Sequence, residues 1–258
     1  MSPLSAERYY AELQTRTAEL AGLVHGADLT LLVPACPDWT LRQLATHVGR
    51  AHRWAAQIVS TRSAEFIPFR SVPDGRFPDD PAQQPAWLTA GAARLAGAVR
   101  AAGGDPVWAL GATAPASFWA RRMTHETLVH TADAQLAAGQ RPALPADIAA
   151  DAIDEWLCVI SGPIYGRPDP RAQALPQGRV LHVHTTDEAP AGTGEWLVRH
   201  TAAGVSVEAA HGKGDVALTG PAADVLLVLT RRLPAGDPAV TVFGDTGLLA
   251  RWLAETEF

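Results

Sequence analysis

The spacing of apolar residues changes along this chain: its first two-thirds repeats at helical intervals and its last third alternates as strands do. From about Ser5 to His25, Tyr9, Tyr10, Leu13, Leu20 and Val24 predict an amphipathic first helix. The second helix has the sharpest start. Thr40 as N-cap and Gln43 three residues on make a capping box, and Trp39 and Leu44 are placed for a hydrophobic staple. Its apolar stripe runs through Leu41, Leu44, Ala45, Val48, Ala51, Ala55 and Ile58. His47 lies on the edge of that stripe, in line with Leu44, Ala51, Trp54 and Ile58, which turns it toward a bundle interior. Residues 61–82, rich in Pro, Asp, Arg and Ser, predict a long loop, a candidate lid or pocket wall. A third helix is expected over 83–102, a fourth from Ser117 to Ala138 stopped by Gly139, and a fifth over 146–159.

Prolines and glycines between 161 and 178 interrupt the pattern. Beyond them, residues around Leu181, Leu197, Val207, Leu218 and Val242 form short strands. An apolar helix opened by Gly220-Pro221 and closed by Arg231-Arg232, and a last helix from Asp245, complete a small α+β unit. The expected organisation is a helical bundle over 1–165, a linker over 166–178 and a C-terminal α+β domain over 179–258.

The fourth helix carries the candidate chemistry. At about 100° per residue, Trp119, Met123, Glu126, His130, Asp133 and Ala137 make one stripe, and Leu128, Val129, Ala132 and Leu136 another. A helix with two apolar-leaning faces is buried between neighbours, so Glu126 needs a cation or strong hydrogen bonds. The spacing of His125-Glu126 and His130 is one residue longer than the HExxH of zinc peptidases: Glu126 and His130 share a face while His125 points away. With His47 they make three donors, leaving an open position as in a catalytic metal site. Asp133 would then orient His130. The competing reading is a core histidine and an ordinary Glu/His helix pair, and the pattern leaves both open.

Other polar residues point less clearly. His52 is five residues from His47, about 140° round the helix, and is assigned a structural role. His182 and His184 share a strand face, read as solvated because the sequence places no carboxylate or third histidine beside them. Arg231 and Arg232 either complement a helix dipole or hold a substrate carboxylate. Cys36 and Cys158 are too few for a disulfide framework or thiolate cage. A net charge of −6 argues against nucleic acid as partner. Neither a signal peptide nor a membrane-length apolar run is visible, so a cytoplasmic protein without membrane contact is expected. Nucleotide and serine-hydrolase motifs are missing.

The segments Cys36-Pro37-Asp38-Trp39-Thr40, Leu44-Ala45-Thr46-His47-Val48-Gly49 and His52-Arg53-Trp54 together resemble the mycothiol-dependent maleylpyruvate isomerase family. So do Arg122-Met123-Thr124-His125-Glu126-Thr127-Leu128-Val129-His130 with Asp133, Gly194-Glu195-Trp196, Gly220-Pro221-Ala222-Ala223-Asp224 and Val242-Phe243-Gly244-Asp245. The resemblance spans the chain. It implies a DinB-like four-helix bundle joined to a smaller, sterol-carrier-like α+β domain, an α plus α+β fold class. It implies a divalent metal, usually zinc, held by His47, Glu126 and His130, with Asp133 behind them, and mycothiol as thiol cosubstrate. An arginine of the C-terminal domain reaches the active site in the family; Arg232, or else Arg231, is the loose match. The implied activity is addition of a metal-activated thiol to an electrophilic small molecule, as cis-trans isomerisation or thiol S-transfer, by a monomer or small homo-oligomer. A non-catalytic metal-binding or regulatory small-molecule-binding module on the same scaffold is the alternative.

Overall fold

The computed structural model describes residues 4–161, 174–187, 194–202 and 204–256. Most of the expected linker lies outside them. Packing divides the chain at Pro142/Ala143 into two units.

In the first unit, helices α1 (Ala6–Val24), α2 (Leu41–Ser60), α3 (Gln84–Ala102) and α4 (Ser117–Ala137) form a four-helix bundle. Helix α2 packs on α3 and α4, and α1 packs on α4 and α3. Ser5 caps α1, accepting from Arg8 N. The capping box at Thr40 and Gln43 forms as expected. Two apolar clusters fill the bundle. One gathers Leu13, Trp54, Ile58, Leu95, Val99, Trp108, Trp119 and Met123; the other gathers Leu20, Val24, Leu44, Val48, Trp87 and Leu88. Helix α4 is buried on most of its circumference, as its two apolar-leaning faces predict. Two of its threonines donate to the helix's own backbone, Thr124 to Ala120 O at 2.8 Å and Thr127 to Met123 O at 2.6 Å, and Thr131 donates to Arg16 O of α1 at 3.2 Å.

Two short hairpins interrupt the helices: β1 (Leu32–Val33) with β2 (Cys36–Thr40), and β3 (Pro106–Ala109) with β4 (Ala112–Pro115). Neither is expected from the sequence pattern. The loop expected over 61–82 holds two single 3₁₀ turns, Phe69–Ser71 and Pro81–Gln83. It is tied to α2 and α3: Phe77 is buried, Arg53 pairs with Asp74, Arg42 pairs with Asp79, and Trp87 Nε1 donates to Asp74 O.

The second unit begins with α5 (Ala146–Ser161). The boundary expected at 165 assigns this helix to the bundle; the structure assigns it to the C-terminal unit. The reason is its packing against α6 (Ala222–Leu229) and the sheet, including a bond from buried Trp196 Nε1 to Asp154 Oδ1 at 3.0 Å. The sheet is formed by β5 (Val180–Thr185), β6 (Glu195–Thr201), β7 (Gly204–Glu208), β8 (Val216–Gly220) and β9 (Thr241–Gly244), in the order β7-β6-β5-β8-β9. Strands β5 and β8 run parallel and the other pairs antiparallel. Helix α6 connects β8 to its antiparallel neighbour β9, and α7 (Thr246–Glu255) closes the described chain with Asp245 as its N-cap. The fold class is thus the expected α plus α+β. Among the described residues, no helix is long and apolar enough to cross a membrane.

Candidate metal centre

Helices α2 and α4 bring His47, Glu126 and His130 together, with one donor atom from each within 4.8 Å of the others. His47 Nε2 lies 2.8 Å from Glu126 Oε1, and His130 Nε2 lies 3.3 Å from the same oxygen. Each arrives by a different local rule. The cap at Thr40 fixes where α2 begins, and hence which face carries His47. Glu126 and His130 share a face of α4 because they are four residues apart. His125 points elsewhere, its ring meeting Tyr9 of α1 edge-on at 6.1 Å.

The surroundings sort these donors. Asp133, fully buried one turn beyond His130, accepts a hydrogen bond from its Nδ1 at 2.8 Å. The remaining nitrogen, Nε2, is the one turned to Glu126. Arg122, four residues before Glu126, binds the other carboxylate oxygen, Oε2, at 2.7 Å and leaves Oε1 to the histidines. Trp39 walls the site: its ring is 4.8 Å from that of His47 and stacks on His130 at 6.0 Å. It also packs against the core cluster containing Leu44, in keeping with the staple. Cys36 Sγ lies 4.0 Å from Asp133 Oδ2. His47 keeps about a third of its side chain exposed and Glu126 about a quarter, so the cluster opens on one side to solvent.

The charges follow from this geometry. Burial alone would raise the carboxyl of Glu126, but hydrogen bonds from His130 and His47 and the charge of Arg122 hold it well below the usual range. Burial likewise opposes a charge on His130, yet its bonds to Asp133 and Glu126 raise it to about 9. His130 and Glu126 therefore form an imidazolium–carboxylate pair. His47 Nε2, one oxygen of Glu126 and a deprotonated His130 Nε2 are the atoms that would hold a divalent cation here. Zinc chemistry accepts such a set of two imidazoles and one carboxylate with a further position open.

The remaining candidates separate. His52 is buried in the core, its Nε2 2.7 Å from Thr127 Oγ1. Burial, with the charge of Arg53, pushes this imidazole down to about 3, which makes it a neutral structural histidine. Arg232 belongs to the C-terminal unit. Helix α6 ends at Leu229, and the chain reverses through Arg231 at a φ of 62°, so the two arginines stand on a turn rather than closing the helix. Arg232 Nη1 donates to Thr230 O at 2.7 Å. Sequence reasoning passed over Arg122, although its place four residues before Glu126 was readable. It also gave Trp39 a packing role alone.

A DinB-like four-helix bundle followed by a small α+β unit, with a His/Glu/His cluster between two bundle helices, defines the class. Residues 10–135 match the mycothiol maleylpyruvate isomerase N-terminal domain, and residues 147–251 match the C-terminal domain of the same group. The chain belongs to the mycothiol-dependent maleylpyruvate isomerase family. Compared by sequence with curated proteins, it matches none. Among solved structures it is similar to a mycothiol-dependent maleylpyruvate isomerase at 19% identity, with 93% of each chain covered and a TM-score of 0.58. A histidine-to-alanine mutant of such an isomerase aligns at 18% identity over the same 93% of each chain, with a TM-score of 0.57.

Proposed function

We propose that this protein is a mycothiol-dependent metalloenzyme that adds a low-molecular-weight thiol to an electrophilic small molecule, as an isomerase of the maleylpyruvate type or as a thiol S-transferase. The observation that carries the reading is the convergence of His47, Glu126 and His130 on one point, in a chain of this family. Bound there, a divalent cation, zinc by the donor set, would supply the Lewis acidity that keeps a thiol in its nucleophilic thiolate form. The protein's own groups prepare that position. Asp133 holds the His130 ring with Nε2 presented, and Arg122 anchors Glu126 by its far oxygen. Trp39 supplies an apolar wall beside the exposed edge of His47.

The test uses the full-length protein with mycothiol and either maleylpyruvate or monobromobimane. The expected result is metal-dependent product in at least one mixture, lost in His47→Ala together with one equivalent of metal. Product with maleylpyruvate identifies an isomerase, and adduct with bimane a transferase. Absence of product from both, with metal content and melting temperature unchanged in His47→Ala, would leave the non-catalytic module as the better reading.

A further inference from the structure

A second cluster of metal-binding side chains lies in the C-terminal unit, on β5, β6 and the loop before β8. His182 and His184 alternate on β5 and share a face of the sheet, with rings near parallel at 5.9 Å. The sequence alone places no carboxylate near them; the strand register does. Glu195 is the cross-strand partner of His184 on β6. Its Oε2 lies 3.1 Å from His182 Nε2 and its Oε1 lies 3.6 Å from His184 Nε2. His211, from the loop over 209–215, brings Nδ1 within 2.7 Å of Glu195 Oε2. His182, Glu195 and His211 each present a donor within 4.8 Å of the other two.

The loop is built to lie on this face. A Cβ at Gly214 would meet the backbone at Val216 O at 2.6 Å and at His182 N at 2.9 Å, so this position needs glycine for the loop to come so close. Beyond it, Asp215 fastens the loop to the start of β5. Its N–H donates to Val180 O at 2.8 Å, and its carboxylate accepts from Val180 N at 2.7 Å. His182 is buried beneath, at 8% exposure, while His211 forms the solvent side of the cluster.

From this geometry we infer that His182, Glu195 and His211 form a site for a borderline divalent cation of the zinc class, with His184 at its edge. Two imidazoles and one carboxylate suit zinc, nickel or copper far better than calcium or magnesium, which take all-oxygen sets. The cation would cross-link two strands to the loop, three segments that are separate in sequence.

The proposal is independent of the bundle centre, and its test is arranged to keep it so. Full-length His47→Ala, stripped by chelator, is titrated with zinc by calorimetry, and hydrogen exchange of residues 209–215 is followed with and without the ion. One equivalent should bind and slow exchange in the loop. Adding His211→Ala or Glu195→Gln should weaken this binding by about tenfold or more, in line with loss of a ligand, while far-ultraviolet circular dichroism stays unchanged. His184→Ala should weaken it less. If His47→Ala takes up no zinc, or if His211→Ala and Glu195→Gln bind it as His47→Ala does, the site does not exist.

Discussion

Asp133 Oδ2 sits 2.8 Å from His130 Nδ1, one helical turn along α4 and out of reach of solvent. A buried carboxylate in that position does two things: it fixes which imidazole nitrogen carries the proton, and it stops the ring from turning. Asp133→Asn is nearly the same size but offers a weaker, uncharged acceptor. Metal affinity should fall by roughly 10- to 100-fold, the usual loss when such a partner is changed. Competition titration with a chromophoric chelator, performed on His211→Ala so that only the bundle centre is counted, reads this directly. Equal affinity with and without the Asp133→Asn change would show that His130 is oriented by something else.

Much of that centre was legible before the fold was known, because helical geometry converts spacing into angle. The interval of four between Glu126 and His130, and of three from His130 to Asp133, determines that they share a face whatever the helix packs against. The face carrying His47 could be read for the same reason, since the cap at Thr40 sets the frame of α2. Contacts between segments distant in sequence were not readable. That Trp39 covers His47 depends on the entry of β2 into α2. That Glu195 stands opposite His184 depends on strand register, and that His211 joins them depends on the path of a loop. The hairpins escaped because Leu32–Val33 is too short to show any alternation and β3 is an unbroken apolar run. Helix α5 looked like a bundle helix because its amphipathic pattern is the same for any partner; its packing on α6 and the sheet, with the bond from Trp196 to Asp154, reveals which unit it serves.

The buried His52 gives the protein a built-in acid sensitivity. Its imidazole is neutral in the fold, with a value of about 3 against 6.5 in the unfolded chain. Between those values the unfolded chain binds a proton that the folded one refuses. The contribution is therefore complete above about pH 6.5 and is lost as pH falls toward 3, at up to about 1.4 kcal/mol per pH unit. Gln at this position can still donate to Thr127 but cannot take the proton. Urea unfolding of the metal-free protein between pH 7 and 5 should show a shallower acid decline for His52→Gln than for wild type. Parallel declines would refute a neutral His52.

The capping box at the head of α2 can be tested apart from metal binding. Gln43 N donates to Thr40 Oγ1 at 3.3 Å, and Thr40 N donates back to Gln43 Oε1 at 2.8 Å. Thr40→Ala removes the hydroxyl and should cost about 1 kcal/mol, whereas Thr40→Ser should be near neutral. The change also loosens the junction that holds Trp39 against His47, so tryptophan emission should shift to the red in Thr40→Ala but not in Thr40→Ser. A full loss of stability in Thr40→Ser would point to the threonine methyl rather than the cap.

Two glycines in the bundle should respond oppositely to the same substitution. Gly49 lies where α2 meets α3, and an added Cβ would stand 2.0 Å from the Trp87 ring. That ring cannot easily withdraw: its Nε1 donates to Asp74 O at 3.0 Å, and the Arg53 guanidinium lies 4.0 Å from its centre. Gly49→Ala must part the two helices or displace Trp87, and overpacking of this kind costs about 1–3 kcal/mol. Gly97 is also helical, within α3, but a Cβ there would meet nothing within 4 Å. Gly97→Ala therefore gains helix propensity without a clash and should stabilise by roughly 0.5–1 kcal/mol. Chemical denaturation of the two single variants compares them directly. Because His47 is two residues from Gly49 on α2, the destabilised variant should also bind metal more weakly, while Gly97→Ala should bind it as wild type does. Stabilisation by both, or loss of metal in Gly97→Ala, would contradict the close packing of α2 on α3.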